Sequence, residues 1–169
     1  MWLPDALIRR FVALAACLLL AGCFRPMYAS LDGTSAVIAE LTRIDVPPIN
    51  GHVGQRVRNE LLYAFSARQA SEAPYKLSVT VKESTEETAL QKTGEALTKI
   101  YELRANFTLI EVKSGQVLYG GSAVSRASFD RTTQLFANQR AALDAENRTA
   151  RVVSENIKTR IAAYFAARS

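Results

Sequence analysis

The sequence predicts a two-layer α+β domain: a mixed sheet of about four strands with two helices on one face, in the order β-α-β-β-β-α. Three observations carry this. Apolar and polar residues alternate from Tyr75 to Val81 and again from Tyr101 to Leu109, the period-two signature of half-buried strands. Val53, Val57, Leu61 and Phe65 recur at helical spacing. Ala150, Val153, Ile157 and Ile161 do the same near the end of the chain. Each helix then has one apolar stripe, and one sheet face accommodates both.

Taken in order, residues 24–40 are mixed and polar and read as an extended leader, since Pro26 and Asp32-Gly33 disfavour a helix across them. Ile44, Val46 and Ile49 form a short β-prone stretch. Pro47-Pro48 confines it to a sheet edge or a strand end, because proline cannot donate to a central ladder. Asn50-Gly51 is a turn, and a helix follows over 53–69. The next strand covers 75–82, and 84–95 is a polar, acidic-then-basic segment containing Gly94. Lys113-Ser114-Gly115-Gln116 connects the long strand around 101–109 to a returning strand over 117–129. Gly120-Gly121 within the latter predicts a bulge or a close backbone approach. A long helix spans 134–167, with Leu143 and Tyr164 extending its stripe. Ser78, Thr80, Lys82, Glu102, Arg104, Asn106 and Thr108 would make the second sheet face polar, either wet or inside a partner.

Of the 169 residues, 49% are apolar and 22% charged, ordinary globular usage that argues against a disordered, collagen-like or polytopic chain. A net charge of +5, from 21 Lys+Arg against 16 Asp+Glu, favours acidic partners without naming one. The single His excludes most His-rich metal sites.

The N-terminus carries an address. Arg9 and Arg10 precede an uninterrupted apolar run over 11–21, too short to span a bilayer of roughly 30 Å but suited to a signal-peptide core. The following Leu20-Ala21-Gly22-Cys23 resembles the bacterial lipobox, whose Cys is acylated with cleavage before it. By that resemblance residues 1–22 are a lipoprotein signal peptide and Cys23 is the lipidation site. Residues 23–40 are then a lipidated leader and 41–169 the folded domain. Two or more acyl chains anchor stably where one does not. Phe24, rather than Asp, after the Cys is similar to outer-membrane sorting in such lipoproteins. With Cys17 removed and Cys23 acylated, no thiol is left for a disulfide, a metal or catalysis.

Catalytic patterns are scarce. His52 sits between Gly51 and Gly54 with no motif for a nucleophile or an orienting acid, and reads as a loop or cap residue. No phosphate loop is present. Glu83, Glu86 and Glu87 lack the spacing of a calcium loop and read as a solvated acidic turn. No carboxylate pair is singled out for glycoside hydrolysis. The sequence therefore points to a non-enzymatic chain that needs no cofactor and no metal. Its Lys and Arg residues suit an anionic phospholipid or lipopolysaccharide. They would also suit nucleic acid, which an acylated envelope protein rarely meets.

Phe24-Arg25-Pro26-Met27-Tyr28 after the lipobox resembles the opening of LptE, the lipopolysaccharide-assembly lipoprotein family, although the family's Gly between Cys and Phe is missing. The strand Tyr75-Lys76-Leu77-Ser78-Val79 and the pair Tyr119-Gly120 also look similar. So does the final helix, through Glu146-Asn147, Ala150, Val153, Ile157, Arg160-Ile161 and Ala163-Tyr164-Phe165. The likeness covers essentially the whole mature chain and is greatest to the alphaproteobacterial branch. It implies a lipid-anchored plug and assembly factor inside the outer-membrane β-barrel LptD that binds lipopolysaccharide and helps deliver it to the outer leaflet. By location in the strand and loop region, it implies Lys92, Lys99 and Arg104 as lipopolysaccharide-binding residues. Two other readings stay open: an auxiliary lipoprotein of an ABC-type lipid transporter, and a periplasmic hydrolase of cell-wall sugars.

Overall fold

The alternating segments assemble into one mixed sheet with strand order β1-β2-β3-β4. The strands are β1 (Ile44–Asp45), β2 (Tyr75–Leu90), β3 (Ala96–Glu111) and β4 (Val117–Asp130). β1 runs parallel to the first two residues of β2, while β2, β3 and β4 are mutually antiparallel. Among the described residues three helices accompany them: α1 (Leu31–Thr42), α2 (His52–Ala64) and α3 (Leu135–Ala166). The computed structural model describes residues 31–66, 73–90 and 96–168. Residues from Ala36 onward belong to one compact unit. Residues 1–22, read above as a signal peptide, together with Cys23 and Lys92 lie outside the described residues.

The core follows the two periodicities. Leu77, Leu103, Ala105, Phe107, Leu109 and Ala123 point from the strands to one face. Val53, Val57 and Leu61 of α2, and Val153, Ile157 and Ile161 of α3, meet them there in a single cluster. Helix contacts are close because small residues line them. Ala145 and Ala150 are buried, and Ser154 Oγ donates to the Val57 carbonyl at 3.3 Å, tying α3 to α2. Buried Thr149 donates its hydroxyl to carbonyls of its own helix, so it leaves no unsatisfied donor. Gly54 has no room for a side chain, since a Cβ there would stand 2.8 Å from Ile49 Cγ2 and 2.9 Å from its carbonyl oxygen.

Four elements differ from expectation. Helix α1 occupies 31–42, where an extended leader was expected. Asp32 and Gly33 fall in its first turn, and Pro26 lies before it. Val37 and Leu41, one helical turn apart, pack on the core and reward the helix. Helix α2 ends at Ala64 rather than 69, because Ser66 takes φ +50 and the Phe65 N–H closes back on the Leu61 carbonyl. Strands β2 and β3 are longer than the alternation indicates. Residues 84–90, read as a polar segment, continue β2, in register with β3 as far as Glu87 and through two register shifts to Leu90. Residues 82–87 are all exposed, so nothing forces an apolar period on them. Gly120-Gly121, by contrast, shows the close approach that was one of its two expected roles: a Cβ on Gly121 would lie 3.1 Å from Phe107 Cζ. The β4 bulge itself is two residues earlier, where Ile110 pairs with Val117 but Leu109 with Tyr119.

Candidate functional site

The strongest arrangement of charge lies on the sheet face opposite the core. Alternation sends Glu102, Arg104 and Asn106 of β3 to that face, together with Ser78, Thr80 and Lys82 of β2. Register brings Arg126 of β4 directly opposite Glu102. Arg126 Nε donates to Glu102 Oε2 at 2.5 Å and Arg104 Nη2 donates to Oε1 at 3.1 Å. One carboxylate thus holds two guanidinium groups in place. Hydrogen bonding from Arg126, then from Arg104, keeps the Glu102 carboxyl below the usual carboxylate range, and Arg126 is raised in return. Lys82 faces Arg104 across β2 and β3. Two arginines flank the Glu102 carboxylate, and the Glu86 charge also acts on Arg126; water reaches both side chains, 47% exposed for Arg104 and 67% for Arg126. A guanidinium fork of this kind recognises phosphate and carboxylate oxygens.

The three residues singled out from sequence do not converge. Arg104 belongs to this face. Lys99 lies on the opposite face of β3, where Lys99 Nζ is 2.9 Å from Glu87 Oε1. Five residues of strand separate the two, roughly 16 Å. Lys92 is outside the described residues. Arg126 and the bridging role of Glu102 escaped sequence reasoning because they depend on which residue of β4 meets which of β3.

A second polar cluster joins the helices to the sheet. Tyr101 donates its hydroxyl to Glu83 Oε2 at 2.8 Å. Burial, then that hydrogen bond and the Glu83 charge, push its pKa far above the ordinary phenol value. Its hydroxyl therefore stays protonated and keeps donating to Glu83. His52 opens α2, exposed, with Nδ1 3.9 Å from Glu146 Oε2 and Nε2 3.5 Å from Arg56 Nη2. His52 is thus the first helical residue, with Gly51 as the cap, and it has two charged neighbours but no nucleophile. Among the described residues no group of three His, Cys, Asp or Glu side chains could hold a metal ion. At the β1 end of the sheet a pocket of about 280 Å³ is lined by Val37, Glu40, Tyr75, Glu111, Leu118 and Arg168, among others. Its Tyr75 ring stacks in a tilted contact on Phe165, with centroids 5.2 Å apart. Burial and the Glu40 charge raise the Tyr75 hydroxyl.

No family model and no curated protein matches the chain. Solved structures do. A protein from Caulobacter crescentus CB15 described as a lipoprotein is similar at TM-score 0.66 and 23% identity, covering 78% of this chain and 97% of that one. A minor lipoprotein from Acinetobacter baumannii is similar at TM-score 0.53 and 14% identity, covering 72% and 92%. The rare lipoprotein B from Shewanella oneidensis is similar at TM-score 0.50 and 12% identity, covering 74% and 94%. The chain shares its fold with these bacterial lipoproteins.

Proposed function

We propose that the chain is a non-enzymatic outer-membrane lipoprotein, anchored through acylated Cys23. In this reading it plugs and supports assembly of the LptD β-barrel and helps deliver lipopolysaccharide to the outer leaflet. The observation that carries the reading is the open sheet face. It is polar, is covered by no helix among the described residues, and bears Arg104 and Arg126 around Glu102 with Lys82 on the neighbouring strand. A wet barrel lumen is typically polar, so such a face can enter it without desolvating an apolar surface. The lipobox and the lipoprotein fold agree with an envelope address.

In this reading the phosphates of lipopolysaccharide exchange for the Glu102 carboxylate at the two guanidinium forks. That competition loosens the cation bridges by which lipopolysaccharide molecules aggregate. Lys99, near the start of β3, and Lys92 would meet other anionic groups of the same large ligand. Glu102 keeps the arginines extended while the ligand is absent.

Two measurements separate the parts. A C-terminally tagged chain is purified from gently solubilised outer membranes and its companions identified by mass spectrometry. A large β-barrel in near-equal amount supports the plug role; recovery with an inner-membrane ATPase instead overturns it. Lipopolysaccharide affinity is then compared for the parent, for Arg104→Ala with Arg126→Ala, and for Lys92→Ala with Lys99→Ala. Charged hydrogen bonds contribute roughly 1.5–3 kcal/mol each, so each arginine lost should weaken binding about tenfold or more. Unchanged affinity in the arginine pair would remove the open face from the ligand site while leaving the plug role standing.

A further inference from the structure

Two consecutive glycines of β4 stand in different surroundings. Gly121 turns to the helix side, where the Phe107 ring leaves no room for a side chain. Gly120 is exposed and turns to the open side, opposite Thr108. A Cβ there would meet nothing closer than the Phe107 carbonyl oxygen at 3.6 Å and Thr108 Oγ1 at 4.0 Å, and its φ is not positive. Packing and backbone conformation therefore both admit a side chain at 120. The open face has a bare spot that the fold does not need.

The neighbours of that spot share one chemistry. Register puts Thr80 beside Asn106 and, two residues along, Ser78 beside Thr108. All four belong to the open face, and among the described residues none of their side chains has a hydrogen-bond partner. Cross-strand neighbours stand about 4.5–5.5 Å apart and successive rows about 7 Å. The block thus offers three hydroxyls and one amide, each able to donate and accept, over an area close to that of one sugar ring. The next row along the sheet is Lys82 with Arg104, and the row after it carries Glu102 with Arg126.

We propose that this block is a saccharide subsite. It takes a sugar ring of the lipopolysaccharide head whose phosphate lies on the neighbouring arginines, Arg104 and Arg126. The proposal rests on the phosphate role given to those arginines above and deepens it. The arginines supply charge, and the block selects a phosphorylated sugar over other phosphates. The order of the rows sets the polarity: sugar toward Gly120, phosphate toward Arg126. A ring laid on the block brings its hydroxyls to groups that no protein partner occupies, and Gly120 lets it approach the β4 backbone. An acyl chain laid there would strip water from all four groups and return no hydrogen bond, so the block belongs to the sugar and not to the lipid tails. One copy of the chain suffices, and the plug arrangement is left as it stands.

Calorimetric binding to the full chain in detergent tests this with two probes. Deacylated lipopolysaccharide is a phosphorylated sugar without tails, and phosphatidic acid in mixed micelles is a phosphate without sugar. Gly120→Gln fills the bare spot, and Thr80→Val with Asn106→Leu removes two hydrogen-bonding groups while keeping their shape. Each should weaken the sugar probe about tenfold or more, the worth of two hydrogen bonds. Each should leave phosphatidic acid affinity and the unfolding midpoint unchanged. Arg104→Ala with Arg126→Ala should weaken both probes. Selective loss of the sugar probe supports the subsite whether or not a barrel co-purifies. Parent-like sugar binding in the block variants, with both probes weakened in the arginine pair, removes the subsite and leaves the phosphate reading standing. Parent-like binding of both probes by the arginine pair removes the phosphate reading and the subsite with it. Equal loss of both probes in the block variants overturns the proposal. So does lost barrel recovery in Gly120→Gln with sugar binding intact, which would make the face a barrel contact.

Discussion

The two faces of this one sheet are built from the same strands, one residue out of step, and share almost no properties. On the helix side Leu103, Ala105 and Phe107 are all buried. Between them, on the other side, Arg104 and Asn106 are exposed. The helix side holds the fold, because apolar area removed from water is its main source of stability. The open side contributes little stability, since exposed ion pairs are worth about 0–1 kcal/mol, and is free to carry a ligand. Neighbours in sequence should therefore respond to mutation in opposite ways.

That contrast can be tested in steps of decreasing effect on stability. Phe107→Ala removes the largest fully buried strand side chain on the helix side and should cost about 3–5 kcal/mol, read as a fall in the denaturant midpoint. Gly121→Val places a side chain against the Phe107 ring, where even a Cβ would be 3.1 Å from Cζ. It should cost about 1–3 kcal/mol and be partly rescued by Phe107→Leu, a cycle that also checks the predicted closeness. Tyr101→Phe keeps the ring and deletes the hydrogen bond to Glu83, for about 1 kcal/mol. At the bottom of the scale, Arg104→Ala should shift stability by less than about 0.5 kcal/mol while weakening lipopolysaccharide binding. A large stability loss there would break the division between the faces.

Acid sharpens the same comparison. The Glu102 carboxyl titrates below its unfolded value because Arg126 and Arg104 favour its charged form. Its small contribution is present above the ordinary carboxylate pKa and is lost as pH falls through the lowered folded value. Glu102→Gln should lower stability slightly at neutral pH and converge on the parent below the lowered carboxyl value, which flattens the profile across that acidic window, measured by thermal unfolding at a series of pH values. If the variant instead destabilises strongly at neutral pH, Glu102 is a structural anchor rather than a spacer between two arginines.

Most of the architecture was legible because it rests on local periodicity. The apolar stripe of the last helix, read as 134–167, appears as Leu135–Ala166. The polar face was also named almost residue by residue, since alternation requires only that one side be buried. What failed was local too, but where packing reward was absent or unseen. The outer part of β2 carries no apolar period because neither of its faces is covered there. Helix α1 forms in a segment with turn residues because Val37 and Leu41 find a core that lies far along the chain.

The sequence by itself determined the alternation, the helical stripes, the hairpin at Lys113–Gln116 and the set of charges available for a site. It determined them because each depends on residues within a few positions of one another. Only the tertiary structure decided which charges meet. Counting back from the Ile110–Val117 pair would set Glu102 opposite Ser125, on the wrong parity for its face. The single-residue bulge at Leu118 shifts the register by one and delivers Arg126 instead. A bulge is selected by how β4 packs under α3 and over Phe107, a sum of distant contacts, and that is why the pair of arginines around Glu102 exists only in the folded chain.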